Sequence, residues 1–276
     1  MNELDPDIQL FAGVLVFMVG ACIGSFLNVC IHRIPRSESV IKPRSRCPEC
    51  RRDIPWYDNI PLISFFALRG KCRNCGARIS VRYVLVELLT AVLFYLVWIQ
   101  YGWTVLTPIF LVVVSGLILA TFVDFEHMII PDRVSLGGIL AGVISSAMFP
   151  ELHDAVRVMD SVKESLIGMV VGAGSLWLVG VLGSWIFRKD AMGLGDVKLL
   201  GAIGAFLGWQ GVLFTVMISS LLGSAVGLSF IAMKRKEWQS RIPYGPYLAL
   251  AAVLWILWGA VWWDAYIAWM AGPEMF

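Results

Sequence analysis

TVLTPIFLVVVSGLILATFVDFEHMIIPD, residues 104–132, opens with an uncharged run, Thr104–Val123, and then sets Asp124, Glu126, His127 and Asp132 close together. An α-helix needs about 20 apolar residues to cross the hydrocarbon core of a bilayer. The acids begin where that run ends. Ionisable groups near membrane depth are costly and, where kept, usually functional. The stretch therefore predicts a membrane helix with carboxylates at its boundary.

The rest of the chain agrees. Of 276 residues, 58% are hydrophobic and 15% charged, and mean hydropathy is +0.76. A soluble domain could not cover its surface with so few polar residues. Net charge is only +2, which gives no signal for nucleic acid. Besides Thr104–Val123, apolar runs occupy Leu10–Ile31, Tyr83–Gln100, Val134–Phe149, Ser165–Phe187, Val197–Leu207, Gly211–Met233 and Tyr247–Met270. The predicted fold is an all-α polytopic membrane protein with about eight transmembrane helices. The fourth run is short and the sixth shorter, so the sixth is a candidate for a half-inserted helix buried in protein. Gly168 and Gly172 form a small-xxx-small pattern, which predicts ordinary close helix packing.

Charge distribution orients the chain. Twelve of the 22 Lys and Arg residues fall between Arg33 and Arg82. The head, MNELDPDIQL, has three acids and no Lys or Arg, unlike a secretory signal peptide. With the N-terminus outside and eight spans, the insert, Asp124–Arg133, Arg188–Asp196 and Lys234–Arg241 all fall in the cytoplasm, as the positive-inside rule expects. Pro150–Glu164 falls outside. The predicted division is a first transmembrane helix over residues 1–31, a cytoplasmic four-cysteine domain over 32–82 and a membrane-embedded domain over 83–276.

The insert carries CPEC, Cys47 to Cys50, and CRNC, Cys72 to Cys75, with 21 residues between the pairs. Two CxxC pairs offer four thiolates to one tetrahedral metal, and zinc is the commonest occupant. Cytoplasmic thiols stay reduced, which argues against two disulfides; a redox role for one pair is the competing reading. A closed four-thiolate site has no open position, so its expected role is structural. The insert has few apolar residues, and the metal would supply much of its folding energy. Cys22 and Cys30, on the first helix, are expected to pack as small apolar side chains.

About 70 residues after Asp124 comes AMGLGDVKLL, with Asp196 preceded by Gly193 and Gly195. Both aspartates fall on the cytoplasmic side of the predicted topology and could meet at one depth. Two carboxylates in hydrogen-bond range do not both ionise easily; one holds a proton while the other acts as a base toward water. The plainer readings are an N-cap for Asp196 and an interfacial charge for Asp124. Asp132 is read as a cap of the fourth span, and Lys198 as a snorkelling lysine or a counter-charge to Asp196.

Taken in order, Gly24-Ser25-Phe26-Leu27-Asn28-Val29, Arg33 and Pro35, the two CxxC pairs with Trp56-Tyr57-Asp58-Asn59-Ile60-Pro61 between them, Leu68-Arg69-Gly70-Lys71-Cys72, Arg82-Tyr83, Glu87, Asp124 with Pro131-Asp132, and Gly193-Leu194-Gly195-Asp196-Val197-Lys198 span nearly the whole chain. The set resembles the bacterial type IV prepilin peptidases, or leader peptidase/N-methyltransferases, of the GxGD membrane aspartyl peptidase class. The resemblance implies cleavage of type IV prepilins and pseudopilins after a glycine at the cytoplasmic face of the inner membrane. It implies methylation of the new N-terminus, usually a phenylalanine, from S-adenosylmethionine. It puts the catalytic aspartates at Asp124 and Asp196. The methyl-donor site is not legible; Gly70 and the end of the first helix are candidates to border it, and a simple turn explains Gly70 as well. Two other readings stay open: a GxGD peptidase without methyl transfer, and a transporter with buried carboxylates as ion sites.

Overall fold

The computed structural model describes residues 6–188, 192–233 and 243–271. The acidic head Met1–Asp5 and the basic residues Lys189, Lys234, Arg235, Lys236 and Arg241, which enter the orientation argument, lie outside them. Among the described residues are eight α-helices: α1 (Pro6–Arg33), α2 (Ile63–Ala67), α3 (Val81–Tyr101), α4 (Leu106–His127), α5 (Asp132–Met148), α6 (Val158–Phe187), α7 (Leu194–Ala232) and α8 (Gly245–Ala271). Six of them, α1, α3, α4, α6, α7 and α8, are long and apolar enough to cross a membrane. The chain is a multi-pass, all-helical membrane protein.

Each of the eight apolar runs is a helical segment. The short fourth run is α5, of 17 residues. The sixth and seventh are the two helical halves of α7, which meet at a kink at Gly208, whose φ of 68° and ψ of −179° leave the helical region. Glycine adopts a positive φ without steric cost. Near that break the Ala205 carbonyl accepts from Ser165 Oγ at 2.8 Å, and His153 Nε2 lies 3.0 Å from Ser146 Oγ. Side chains of neighbouring elements thus satisfy polar groups where the backbone ladder is interrupted.

The chain divides into two compact units between Val123 and Asp124. In the first, α1 packs along α3. A Cβ on Gly20 would sit 2.8 Å from Ala91 Cα, and one on Gly24 would sit 2.7 Å from Glu87 Cα. Only glycine lets these backbones approach so closely, and Val86, Ala91 and Ile31 are fully buried beside them. The four-cysteine insert leaves α1 and returns at α3. It is tied down by Glu87, whose Oε2 accepts the Leu62 N–H at 2.8 Å; Ser25 of α1 hydrogen-bonds the same carboxylate. Asn28, 1% exposed, donates to the Gly24 and Tyr83 carbonyls.

In the second unit the first half of α7 is the central rod. Leu199, Leu200, Ile203 and Ala205 are buried under α5, α6 and α8. Gly168 of α6 meets the Gly204 backbone, and Gly172 meets the Leu200 carbonyl, each too closely for any side chain. This is the helix packing that the small-xxx-small pattern predicts. Outward residues of α6 stay apolar: Val170 is 63% and Trp177 56% exposed, as a lipid-facing surface requires. The far end of α8 stacks Trp255, Trp258, Trp262, Trp263 and Tyr266, aromatic side chains of the kind enriched at membrane interfaces.

Candidate active site and metal centre

Asp124 lies in the last turn of α4 and is 5% exposed. The chain reverses just after it at Met128, whose φ is 54°. Asp124 Oδ2 accepts the backbone N–H of Gly245, the first residue of α8, at 3.0 Å. A helix leaves its first amides without intrahelical partners, and Asp124 satisfies one of them from 121 residues away.

Asp196 is the third residue of α7. Its carboxylate takes the N–H of Gly193, just before the helix, in the manner of a capping box. That bond accounts for the capping role considered for it. It does not account for Oδ1, which is buried without a hydrogen-bond partner. Asp124 is close enough to act electrostatically on Asp196. Ile130 sets the spacing. A Cβ on Gly195 would lie 3.2 Å from Ile130 Cβ, and one on Gly245 would lie 3.2 Å from Ile130 Cδ1. The two glycines let one isoleucine fill the gap between the helix that carries Asp196 and the helix that holds Asp124.

Helix α5 begins at Asp132, two residues after Ile130, so three helix N-termini converge here, those of α5, α7 and α8. Their partial positive charges favour negative charge in the space between them. Asp132 does not cap α5: its N-cap, Pro131, has no side-chain cap bond. Instead Asp132 Oδ1 lies 2.7 Å from Lys198 Nζ, which fixes the first turn of α5 to the first turn of α7. The Lys198 ammonium therefore answers Asp132 rather than Asp196. His127 Nε2 stands 4.0 Å from Glu126. Sequence reasoning missed Gly245 and Ile130; a lone glycine after Tyr244 and an apolar residue before Pro131 carry no chemical signal of their own.

A cavity of about 290 Å³ adjoins this cluster, lined by Met192, Ser220, Gly223, Ser224, Tyr244 and Tyr247.

The four cysteines of the insert come together, with Sγ atoms all within 4.8 Å of one another and Cys47 Sγ 3.8 Å from Cys75 Sγ. The two halves repeat one geometry. The Cys47 carbonyl accepts from Arg51 N at 2.9 Å, as the Cys72 carbonyl does from Gly76 N. Cys47 N donates to the Arg52 carbonyl and Cys72 N to that of Ala77. Arg51 and Gly76 both have positive φ, 57° and 71°. Arg46 bridges to Asp53 and Lys71 to Arg78. The insert thus holds two copies of one knuckle, 25 positions apart, a repeat that the sequence reading did not find. The Cys75 and Asn74 backbone N–H groups pull the Cys72 thiol down to about 7, which favours the thiolate that metals bind. The cluster can hold a metal ion.

Between the knuckles Asp58 grips Arg73, a residue of the second one, through three contacts of 2.6 to 3.1 Å. The Arg73 guanidinium also stands over the Tyr57 ring at 5.6 Å. Gly70, with φ 65°, is packed against Phe65, and both its backbone groups are used in the knuckle. The turn reading is therefore sufficient for it.

Residues 18–101 match the family model described as Bacterial Peptidase A24 N-terminal domain, and residues 111–228 match that of the Type IV leader peptidase family. The chain is similar to the prepilin leader peptidase/N-methyltransferase of Myxococcus xanthus, 43% identical over 219 residues, which is 79% of this chain and 63% of that relative. It is 39% identical to the protein of that name from Aeromonas hydrophila, over 89% of this chain and 90% of the relative. With the Neisseria gonorrhoeae protein of that name it shares 35% identity over 95% of this chain and 98% of the relative. No solved structure matches the chain.

Proposed function

The chain belongs to the type IV leader peptidase family, and from that membership we propose that it cleaves the leader peptide of type IV prepilins and pseudopilins after a glycine, then methylates the new N-terminal residue. It works in the bacterial inner membrane, with the N-terminus periplasmic and with residues 32–82 and the catalytic end of residues 83–276 at the cytoplasmic face. The observation that supports the reading is that Asp124 acts electrostatically on Asp196 near three helix N-termini, with Asp196 Oδ1 buried and unpaired. An unpaired buried carboxylate oxygen near a second carboxylate has a free acceptor position that suits an attacking water.

One aspartate takes a proton from water as the water oxygen bonds to the scissile carbonyl carbon. The other, protonated, gives its proton to the carbonyl oxygen as charge develops there, which forms a gem-diol, and takes a proton back from a diol hydroxyl as the C–N bond breaks. Collapse of the resulting diol breaks the C–N bond, and the proton taken from water passes to the departing amine. The pair acts as a unit. Gly245 and Gly193 each hold one carboxylate by a backbone amide, so neither has to find its place during the reaction.

Cys47, Cys50, Cys72 and Cys75 hold a zinc ion that folds the insert; the four-thiolate donor set suits it. S-adenosylmethionine supplies the methyl group. At the base of the insert Asn28 Oδ1 is buried without a partner, near the Glu87 carboxylate, and this acceptor-rich spot suits a cationic ligand of that kind.

The test uses the purified full chain, a prepilin and methyl-labelled S-adenosylmethionine. The expected product is a shortened pilin carrying label. Shortening without label removes the methyl-transfer half of the reading, and the absence of both overturns it.

A further inference from the structure

One cavity is lined by residues next in the chain to the two glycines that position the aspartates. Met192 immediately precedes Gly193, whose amide holds Asp196, and Tyr244 immediately precedes Gly245, whose amide holds Asp124. The cavity is thus lined by the chain neighbour of each glycine that positions a carboxylate.

The walls are built and fixed. The Tyr244 hydroxyl lies 2.8 Å from Ser219 Oγ and 3.3 Å from Ser220 Oγ, which pins its ring against α7. The Tyr247 ring stands next to it, centroids 6.4 Å apart at 48°. Both rings rest over Gly223, where a Cβ would be 3.6 Å from Tyr244 and 3.7 Å from Tyr247. Ser220 and Ser224 keep the α7 wall low, and Met192 adds a flexible thioether to the lining. Two aromatic walls, a sulfur and a floor without a side chain are the surroundings that a large apolar or aromatic group prefers. At about 290 Å³ the cavity is at the bottom of the range for small-molecule sites, roughly 300–1,000 Å³, so it fits a residue of the peptide better than a whole cofactor.

We propose that Met192, Gly223, Ser224, Tyr244 and Tyr247 form the pocket for the substrate side chain that follows the scissile bond. This rests on the peptidase reading above. With glycine before the bond, that side of the cleavage site has no side chain to house, and the pocket falls to the residue after it. The fixed Tyr244 ring then serves two ends: it shapes the pocket, and it holds the start of α8, from which Gly245 orients Asp124. Filling the pocket and orienting the carboxylate are coupled through one residue step.

The test compares full-length wild type, Ser224→Leu and Met192→Ala on a prepilin whose residue after the cleaved bond is Phe, Ala or Trp. Ser224→Leu, which fills the pocket, lowers the Phe-over-Ala ratio of kcat/KM by about tenfold, within the range expected when a hydrophobic pocket loses room. Met192→Ala, which enlarges it, raises the Trp-over-Phe ratio by about the same factor. Ratios within one variant are unaffected by how much of the protein folds, and opposite shifts cannot come from misfolding. If either ratio stays within about twofold of wild type, the pocket assignment fails. A wild-type chain that cuts none of the three substrates overturns the peptidase reading itself, and the pocket with it.

Discussion

The Gly245 amide meets Asp124 Oδ2 at 3.0 Å, and a Cβ on Gly245 would sit 2.8 Å from that same oxygen. The carboxylate and the helix start are in mutual contact with no room for a methyl group; Ile130 Cδ1, at 3.2 Å, blocks the other way out. Gly245→Ala must therefore push Asp124 aside. Displacement of a catalytic group by about 1 Å costs on the order of 100-fold in rate. The variant is expected to insert and fold, since the buried α8 residues Leu248, Ala251, Ala252 and Ile256 are unchanged, and to cleave prepilin about 100-fold more slowly. Loss of less than threefold would show that Asp124 does not need this position.

Under the proposed mechanism, Asp124→Asn and Asp196→Asn each remove one half of the proton exchange but keep shape. General acid–base groups contribute about 10²- to 10⁴-fold, so each variant should lose at least 100-fold in cleavage rate, and the double variant little more than either single one, because the pair acts as a unit. Methyl transfer to a pilin already shortened by wild type should survive in both. The readout is label incorporation measured beside gel-shift cleavage. Equal loss of both activities would mean that the variants damage the fold.

Much of this arrangement is legible from the chain alone because hydrophobic run length reports directly on membrane helices. The break between Val197–Leu207 and Gly211–Met233 is visible as Gly208-Trp209-Gln210, and the structure breaks the helix there, at Gly208, into two helical segments. Asp124 and Asp196 stand out because charge is rare in such surroundings. What holds them is not legible. Gly245 acts through a backbone amide, which every residue except proline has, and Ile130 acts through shape, so neither differs in kind from its neighbours. The Glu87 contact to Leu62 likewise joins a side chain to a backbone group 25 positions away. The knuckle repeat escapes because CPECRRD and CRNCGAR share only the cysteines and their spacing, while the equivalence lies in φ values and carbonyl contacts.

The Lys198–Asp132 pair, at 2.7 Å, is 36% and 63% exposed at its two side chains. Exposed pairs contribute about 0.2–1 kcal/mol, so its value lies in aligning α5 with α7 more than in stability. A double-mutant cycle on Lys198→Met and Asp132→Asn is expected to give a coupling energy below about 1 kcal/mol in unfolding. The exchange Lys198→Asp with Asp132→Lys should recover most of the cleavage rate lost by either single change. Failure of the exchange to recover activity would assign Lys198 a direct role at the dyad.

Chelation should unfold the insert and leave the helices. The four thiols are the one cluster among the described residues able to take a metal, and the insert has little apolar core to hold it without one. Purified protein is expected to carry one zinc per chain by elemental analysis, and Cys72→Ser to lose it. Limited proteolysis of either metal-free form should cut between Arg36 and Arg78 and spare α3 to α8. Protection of that segment after complete metal removal would make the knuckles self-supporting.

Asp58 adds an acid-sensitive contribution to the same segment. The Arg73 guanidinium hydrogen-bonded to it holds its carboxyl below the usual carboxylate range. A group whose folded pKa is depressed stabilises above its unfolded pKa, near 3.9, and the contribution is lost as pH falls through the folded value. The Asp58–Arg73 contribution is thus fully present at neutral pH and disappears only below about pH 4. Asp58→Asn removes the charge at every pH, so zinc release from the variant at neutral pH should be faster than from wild type. The difference should shrink as the pH is lowered through that window, and competition with a chromogenic chelator across a pH series reads it out. A gap that widens on acidification would mean that Asp58 supports the insert in some way other than as the anion that Arg73 holds.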